Sequence, residues 1–277
     1  MNSAIDETSV AAALQKAIDR RELFMLYQPK ICVRSGALVG LEAVMRWQSR
    51  ELGMVVPSSF IPIAERCGAI DELTIWGLRQ VLKQWCSWRE QGLITKIAFN
   101  ISAISLRDPK FPDIIERECR VAGMPCDQLI LEVTESVTLH LVQLLETITR
   151  FRIKGIEVEL DDFGTGFSSL LQLRQLPYTG LKVDIRFVQD IVTDPEARLI
   201  VKSVIDLARG MGLVSTAEGV ESQETLNILQ LLRCDHAQGY FIAPPLRSGE
   251  LIPWLVGAGG RRRLSRLLER AEAAPVH

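Results

Sequence analysis

Residues 156–169 read IEVELDDFGTGFSS. Apolar and acidic residues alternate as far as Leu160, and then two adjacent carboxylates, Asp161 and Asp162, open a loop with two glycines. Alternation of this kind marks a strand whose successive side chains point to opposite faces. Asp and Gly are common turn residues, so on local grounds the segment reads as a strand-to-loop turn. The alternative is that the aspartates hold something. That depends on whether other polar groups converge on the same place.

Working outward, short apolar runs alternate with helical patterns along the chain. Strands are expected at 23–28, 37–45, 96–101, 128–134, 156–161, 180–183, 213–217 and 238–242. Helical stretches lie between them at 71–91, 111–123, 137–154, 194–210 and 222–232, with apolar stripes such as Ile200, Val204, Ile205 and Ala208. Eight strands alternating with helices predict one α/β barrel rather than two small domains. Segments 23–28 and 37–45 are joined so briefly that they read as a hairpin. No stretch reads as an interdomain linker and no internal repeat is present. The expected division is an N-terminal extension (1–10), the barrel (11–256) and a basic tail (257–277). The tail, GAGGRRRLSRLLERAEAAPVH, reads as a hinge and a basic helix, either solvated or a partner contact.

Composition narrows the function. With 277 residues, 47% hydrophobic and 24% charged, the chain can bury a large core. A net charge of −2 gives no electrostatic case for a nucleic acid polymer or an anionic membrane. No run of 18 apolar residues predicts a membrane span, and MNSAIDETSV lacks the layout of a secretory signal. Six cysteines without a CxxC pair fit reduced thiols in a cytoplasmic protein. Three separated histidines argue against a His-rich zinc site and a Ser-His-Asp hydrolase. Hydrolytic chemistry would fall to carboxylates.

Polar residues stand where strands end. Barrel enzymes place their chemistry at that C-terminal mouth. Glu42, Asn100, Glu132, the Asp161–Asp162 pair, Lys182, Glu218 and Gln238 each lie within or at an end of a predicted strand. Burying several carboxylates together is unfavourable unless cations compensate them. Four acids with an Asn oxygen form a hard-oxygen cage suited to Mg²⁺ or Mn²⁺. Adjacent aspartates can reach two metals, an arrangement that serves in-line phosphoryl displacement. Lys182 among them can orient water or steady developing negative charge. The bland alternative, an ion-pair network built on Lys182, leaves one lysine against five acids.

These residues sit in YQP (27–29), EAVMRW (42–47), FNIS (99–102), LEVTES (131–136), DDFGTGFSS (161–169), LKVD (181–184), AEGVE (217–221) and AQGY (237–240). In that order and spacing the chain resembles the EAL family of cyclic di-GMP phosphodiesterases, from about residue 11 to 255. The resemblance implies a modified TIM (β/α)8 barrel with one antiparallel strand near the N-terminus. It implies hydrolysis of cyclic di-GMP to linear pGpG with two Mg²⁺ or Mn²⁺ ions. Glu42, Asn100, Glu132 and Asp161 would bind the first ion; Asp161 would bridge to the second, which Asp162 also binds. Lys182 would contact the attacking water, and Glu218 would act near the second ion or as a base. Glu221 and Gln238 would position water and Lys182. Gln28, Val44 and Arg46 match substrate-contacting positions, and Glu135 matches a glutamate that steadies the loop after the aspartate pair. The resemblance also implies a homodimer through that loop and adjacent helices.

The chain departs from the family pattern at Val44, where leucine is usual, and at Phe167, where tyrosine is frequent; neither removes a metal ligand. Glu157 and Glu159 share the strand face of Asp161, so Glu159 is directed into the barrel, where the mechanism has no use for it. A buried partner and a shifted strand end are both open. Two other functions compete: a catalytically silent cyclic di-GMP receptor signalling through a protein partner, and a purely structural or interaction domain. The first expects lost metal ligands or a lost loop motif, and the second leaves the buried acids unexplained.

Overall fold

The computed structural model describes residues 7–134, 141–164 and 170–257. The first half runs α1 (Glu7–Ala17), β1 (Leu23–Cys32), β2 (Leu38–Ser49), β3 (Gly53–Val55), α2 (Pro57–Cys67), α3 (Ile70–Glu90), β4 (Lys96–Asn100), α4 (Phe111–Ala122) and β5 (Leu129–Thr134). Then come α5 (Leu141–Ile153), β6 (Glu157–Phe163), α6 (Leu170–Gln175), β7 (Gly180–Val183), α7 (Ile185–Val188) and α8 (Pro195–Gly210). The chain continues through β8 (Val214–Ala217), α9 (Gln223–Leu231), β9 (His236–Ala237) and α10 (Ser248–Val256).

Eight strands close into a barrel in the order β1-β9-β8-β7-β6-β5-β4-β2, with β2 pairing back onto β1. β1 is antiparallel to both its neighbours, and the other barrel pairings are parallel. This is the α/β barrel with one reversed strand that the sequence implied. β3 pairs only with the far end of β2 and lies outside the closed ring.

Two faces of each strand do different work. Outward residues such as Leu41, Ile97, Leu131, Val158, Leu181 and Val183 are buried under the helices and form the main apolar core. Many inward residues, among them Gln28, Lys30, Glu42, Glu132, Glu159, Asp161 and Lys182, are buried and polar, so charge replaces much of the usual apolar barrel filling. A second apolar cluster joins α1, α2 and the start of α3 to Leu23, Trp47 and Val55, at the end of β2 nearest the mouth. α8 starts where the sequence predicts because Asp194 caps it, accepting from Glu196 N, and Pro195 occupies its first turn.

Three expectations need correction. The last barrel strand is His236–Ala237 and not 238–242. After it the backbone turns at Gly239, whose carbonyl accepts from Ile242 N and Ala243 N. The buried stripe of α8 is Val201, Val204, Ile205 and Ala208, whereas Ile200 is 40% exposed. β1 extends four residues past Gln28, through Pro29 to Cys32. Pro29 is tolerated because pairing to β9 starts only at Ile31, leaving that side of the strand without a ladder at residue 29.

Candidate active site

Register explains how distant residues meet. Glu42 lies opposite Gln28 across β1–β2, Asn100 opposite Glu132 across β4–β5, and Thr134 opposite Asp161 across β5–β6. Glu218 and Gln238 follow the ends of β8 and β9, held by backbone bonds to Val183 O and Ala217 O. All of these reach the C-terminal mouth. There a cleft of about 660 Å³ is lined by Glu42, Val44, Asn100, Asp161, Asp162 and Glu218, with α2 as one wall.

Asp161 and Asp162 could not both serve one site on a regular strand, because successive side chains diverge. At Asp162 the backbone turns left-handed, with φ of 55°, and the pairing of β6 with β7 shifts register between Leu160 and Phe163. Asp accepts this conformation better than most side chains. The turn brings carboxylate oxygens of Asp161, Asp162 and Glu218 within 4.8 Å of one another.

The remaining groups form a connected network. Asn100 Nδ2 donates to Glu42 Oε1 at 2.9 Å and to Glu132 Oε2 at 3.3 Å. Gln238 Nε2 donates to Glu42 Oε2 at 2.6 Å and to Gln28 Oε1 at 2.9 Å, and Gln28 Nε2 donates to Ala243 O. Lys182 is wholly buried, with Nζ 2.7 Å from Glu218, 3.0 Å from Glu132, 3.2 Å from Asp161 and 3.5 Å from Glu42.

Lys182 is not the only buried cation. Lys30 projects from β1 with Nζ 2.9 Å from Glu159 Oε2 and 3.6 Å from Glu132 Oε1. This corrects the count of one lysine and supplies Glu159 with its buried partner. Glu157 pairs with Lys96 at 2.7 Å. Continuing the alternation of β1 two residues past Gln28 would have found Lys30, since both face inward.

Two lysines do not neutralise the acids around them, and the carboxyls record it. Burial raises Glu218 to about 8, with Lys182 opposing and Asp161 and Glu42 reinforcing. Burial, then Asp161 and Asp184, raise Asp162 to about 6. Glu132 is raised well above the usual carboxylate range by burial, against Lys182. Burial would also raise Glu42, but Lys182 and the Gln238 hydrogen bond outweigh it and hold Glu42 low. Burial alone would strip Lys182 of its proton; the surrounding carboxylates reverse this and keep it charged. Such an excess of negative charge on hard oxygen donors, in a cleft with no His or Cys in its lining among the described residues, fits a hard divalent cation.

Other sequence-derived positions stand apart. Arg46 is half-buried and donates to Met45 O. Glu221 is exposed and makes no hydrogen bond or ion pair among the described residues. Glu135 and Phe167, with the loop 165–169 and the basic tail beyond Gly257, lie outside the described residues. Arg107, which the sequence reading did not single out, lines the cleft and is exposed.

Known proteins are similar to this chain in sequence and fold. The chain is 35% identical over 249 residues to the cyclic di-GMP phosphodiesterase PA2567 of Pseudomonas aeruginosa, covering 89% of this chain and 42% of that protein. It is 34% identical over 258 residues to the oxygen sensor protein DosP of Escherichia coli K12, covering 92% of this chain and 32% of DosP. The chain thus spans less than half the length of either relative. Among solved structures, the PaMucR phosphodiesterase in complex with c-di-GMP superposes with a TM-score of 0.83 at 32% identity. That likeness covers 88% of this chain and 99% of PaMucR's solved chain. A match to the EAL domain extends across residues 11–245, and the chain belongs to the EAL domain family.

Proposed function

We propose that this chain hydrolyses one phosphodiester bond of cyclic di-GMP to give linear pGpG, using two Mg²⁺ or Mn²⁺ ions. The observation that carries the reading is the convergence of Glu42, Asn100, Glu132, Asp161, Asp162 and Glu218 with Lys182 at the mouth of an EAL-family barrel. The cleft volume falls in the roughly 300–1,000 Å³ range of small-ligand sites. PaMucR, similar across nearly its whole solved chain, was solved as a c-di-GMP complex, which supports the choice of substrate.

Glu42, Asn100, Glu132 and Asp161 would hold one ion, and Asp161 with Asp162 the other. Bound there, the ions would supply charge neutralisation on the phosphate and a nucleophile at neutral pH. The water oxygen bonds to phosphorus, the P–O3′ bond breaks, and a proton passes to the leaving 3′ oxygen. Glu218, raised to about 8, can take or hold a proton beside the reacting atoms. Lys182 keeps its charge and faces the negative charge that develops. Asn100 and Gln238 fix the rotamer of Glu42 from both of its oxygens. Gln28, Val44 and Arg46 would meet the nucleotide, Glu221 would support the water, and Glu135 would steady the loop after Asp162.

On the same resemblance, two copies pair through the loop after Asp162 and its adjacent helices. The six free cysteines support a reducing, cytoplasmic setting. Chromatography of cyclic di-GMP incubated with the purified protein and Mn²⁺ or Mg²⁺ tests the activity. pGpG is the expected product; bound but unchanged nucleotide would make the chain a silent receptor.

A further inference from the structure

We propose that Lys30 is a positioning residue for Glu132, anchoring the carboxylate from inside the barrel so that its other oxygen stays turned to the mouth. The inference rests on the two-ion reading above, in which Glu132 holds an ion.

Glu132 is fully buried, and its two oxygens have separate neighbours. Oε2 meets Lys182 at 3.0 Å and Asn100 at 3.3 Å on the mouth side. Among the described residues Oε1 accepts no hydrogen bond, and the Lys30 ammonium lies 3.6 Å away. A carboxylate with one engaged edge can rotate about its last bond; a charge on each edge fixes that rotation.

Lys30 is itself held in place. Its ammonium is 2.9 Å from Glu159, which stands beside Glu132 in the β5–β6 register. The next strand presents Gly180 opposite Glu159, and a Cβ there would lie 2.9 Å from Glu159 Cγ. Four residues on four strands therefore fit one another: Gly180 makes room for Glu159, Glu159 holds Lys30, and Lys30 reaches Glu132. Lys30 and Glu159 also line a cavity of about 320 Å³ on the side away from the mouth. The lysine head is therefore located by its ion pairs more than by dense packing beneath it.

A lysine that merely neutralised Glu159 would not need the second contact. The double variant Lys30→Met/Glu159→Met separates the two roles, because it removes one cation and one anion and leaves the net charge unchanged. Replacing a buried pair with apolar side chains of similar volume often preserves stability. Mn²⁺ affinity, read by electron paramagnetic resonance of the free ion, then reports the positioning of Glu132 alone.

The expected result is a folded double variant with Mn²⁺ binding at least tenfold weaker than wild type. Glu159→Gln alone, which keeps Lys30 beside Glu132, should stay within about threefold of wild type. Double-variant binding within twofold of wild type overturns the proposal, for Lys30 then serves Glu159 only. If the double variant does not fold, Lys30→Gln/Glu159→Gln, which likewise removes one cation and one anion, carries the same test with the same two outcomes. A wild-type protein without any Mn²⁺ site overturns the two-ion reading itself, and the proposal with it.

Discussion

Lys182 Nζ and Glu218 Oε1 lie 2.7 Å apart at the barrel mouth, the shortest of four contacts that this ammonium makes with carboxylates among the described residues. Removing the lysine leaves four buried or half-buried acids short of a counter-charge. Lys182→Met is expected to lower turnover of cyclic di-GMP about 100-fold or more, since preorganised charge at a developing anion is worth that much. It should also destabilise the cation-free fold by about 3–5 kcal/mol. Steady-state kinetics and denaturant unfolding measure the two effects; turnover within threefold of wild type would remove Lys182 from the mechanism.

Stability should depend on pH in a direction the site dictates. In the folded chain Glu218 keeps its proton to about 8, far above its unfolded value, and Glu132 is raised as well. A raised carboxyl contributes stability at low pH and loses it as pH climbs through the folded pKa. Cation-free protein should therefore lose about 2 kcal/mol between pH 6.5 and 8.5 from Glu218 alone. Added Mn²⁺ or Mg²⁺ should raise the melting temperature more at pH 8.5 than at pH 6.5. Stability that rises with pH in EDTA over this window would contradict the charge assignment.

Asp162 allows shape and charge to be separated. Its left-handed backbone suits Asn nearly as well as Asp, and a β-branched residue poorly. Asp162→Asn is expected to unfold at the wild-type temperature or slightly above, because it relieves repulsion from Asp161 and Asp184. The same variant should lose at least tenfold in turnover. Asp162→Val should lose about 1–3 kcal/mol from backbone strain as well. Thermal melts beside initial rates would show whether the two losses divide in this way.

Gly180→Ala places a methyl group against the Glu159 side chain and is expected to cost about 1–3 kcal/mol by overpacking. In a Glu159→Ala background the same change should cost much less. Equal costs in both backgrounds, measured by urea unfolding, would show that Gly180 is needed for some other reason.

Much of this site was legible in the sequence because a barrel converts strand position into location. Glu42, Asn100, Glu132, Asp161 and Lys182 could be placed at one mouth from alternation and strand order alone. Lys30 escaped because Pro29 reads as a strand end, and only the late start of β9 pairing allows the strand to continue through it. Glu159 then stood without an explanation for want of its partner. The last strand was misplaced because QGYFI is apolar enough for a strand, while the chain turns at Gly239, whose backbone lies too close to Val220 for any side chain. Nor could alternation predict that Asp161 and Asp162 serve one cluster, since that depends on one left-handed residue.

The most direct test is hydrolysis of cyclic di-GMP in ¹⁸O-labelled water with Mn²⁺, followed by mass spectrometry of the product. The account predicts pGpG carrying one ¹⁸O on its terminal phosphate, with formation abolished by EDTA and reduced at least 100-fold in Glu42→Ala, which removes a carboxylate proposed to hold a metal. Cyclic di-GMP recovered intact from a folded protein that binds it, or pGpG formed as fast in Glu42→Ala, would contradict it.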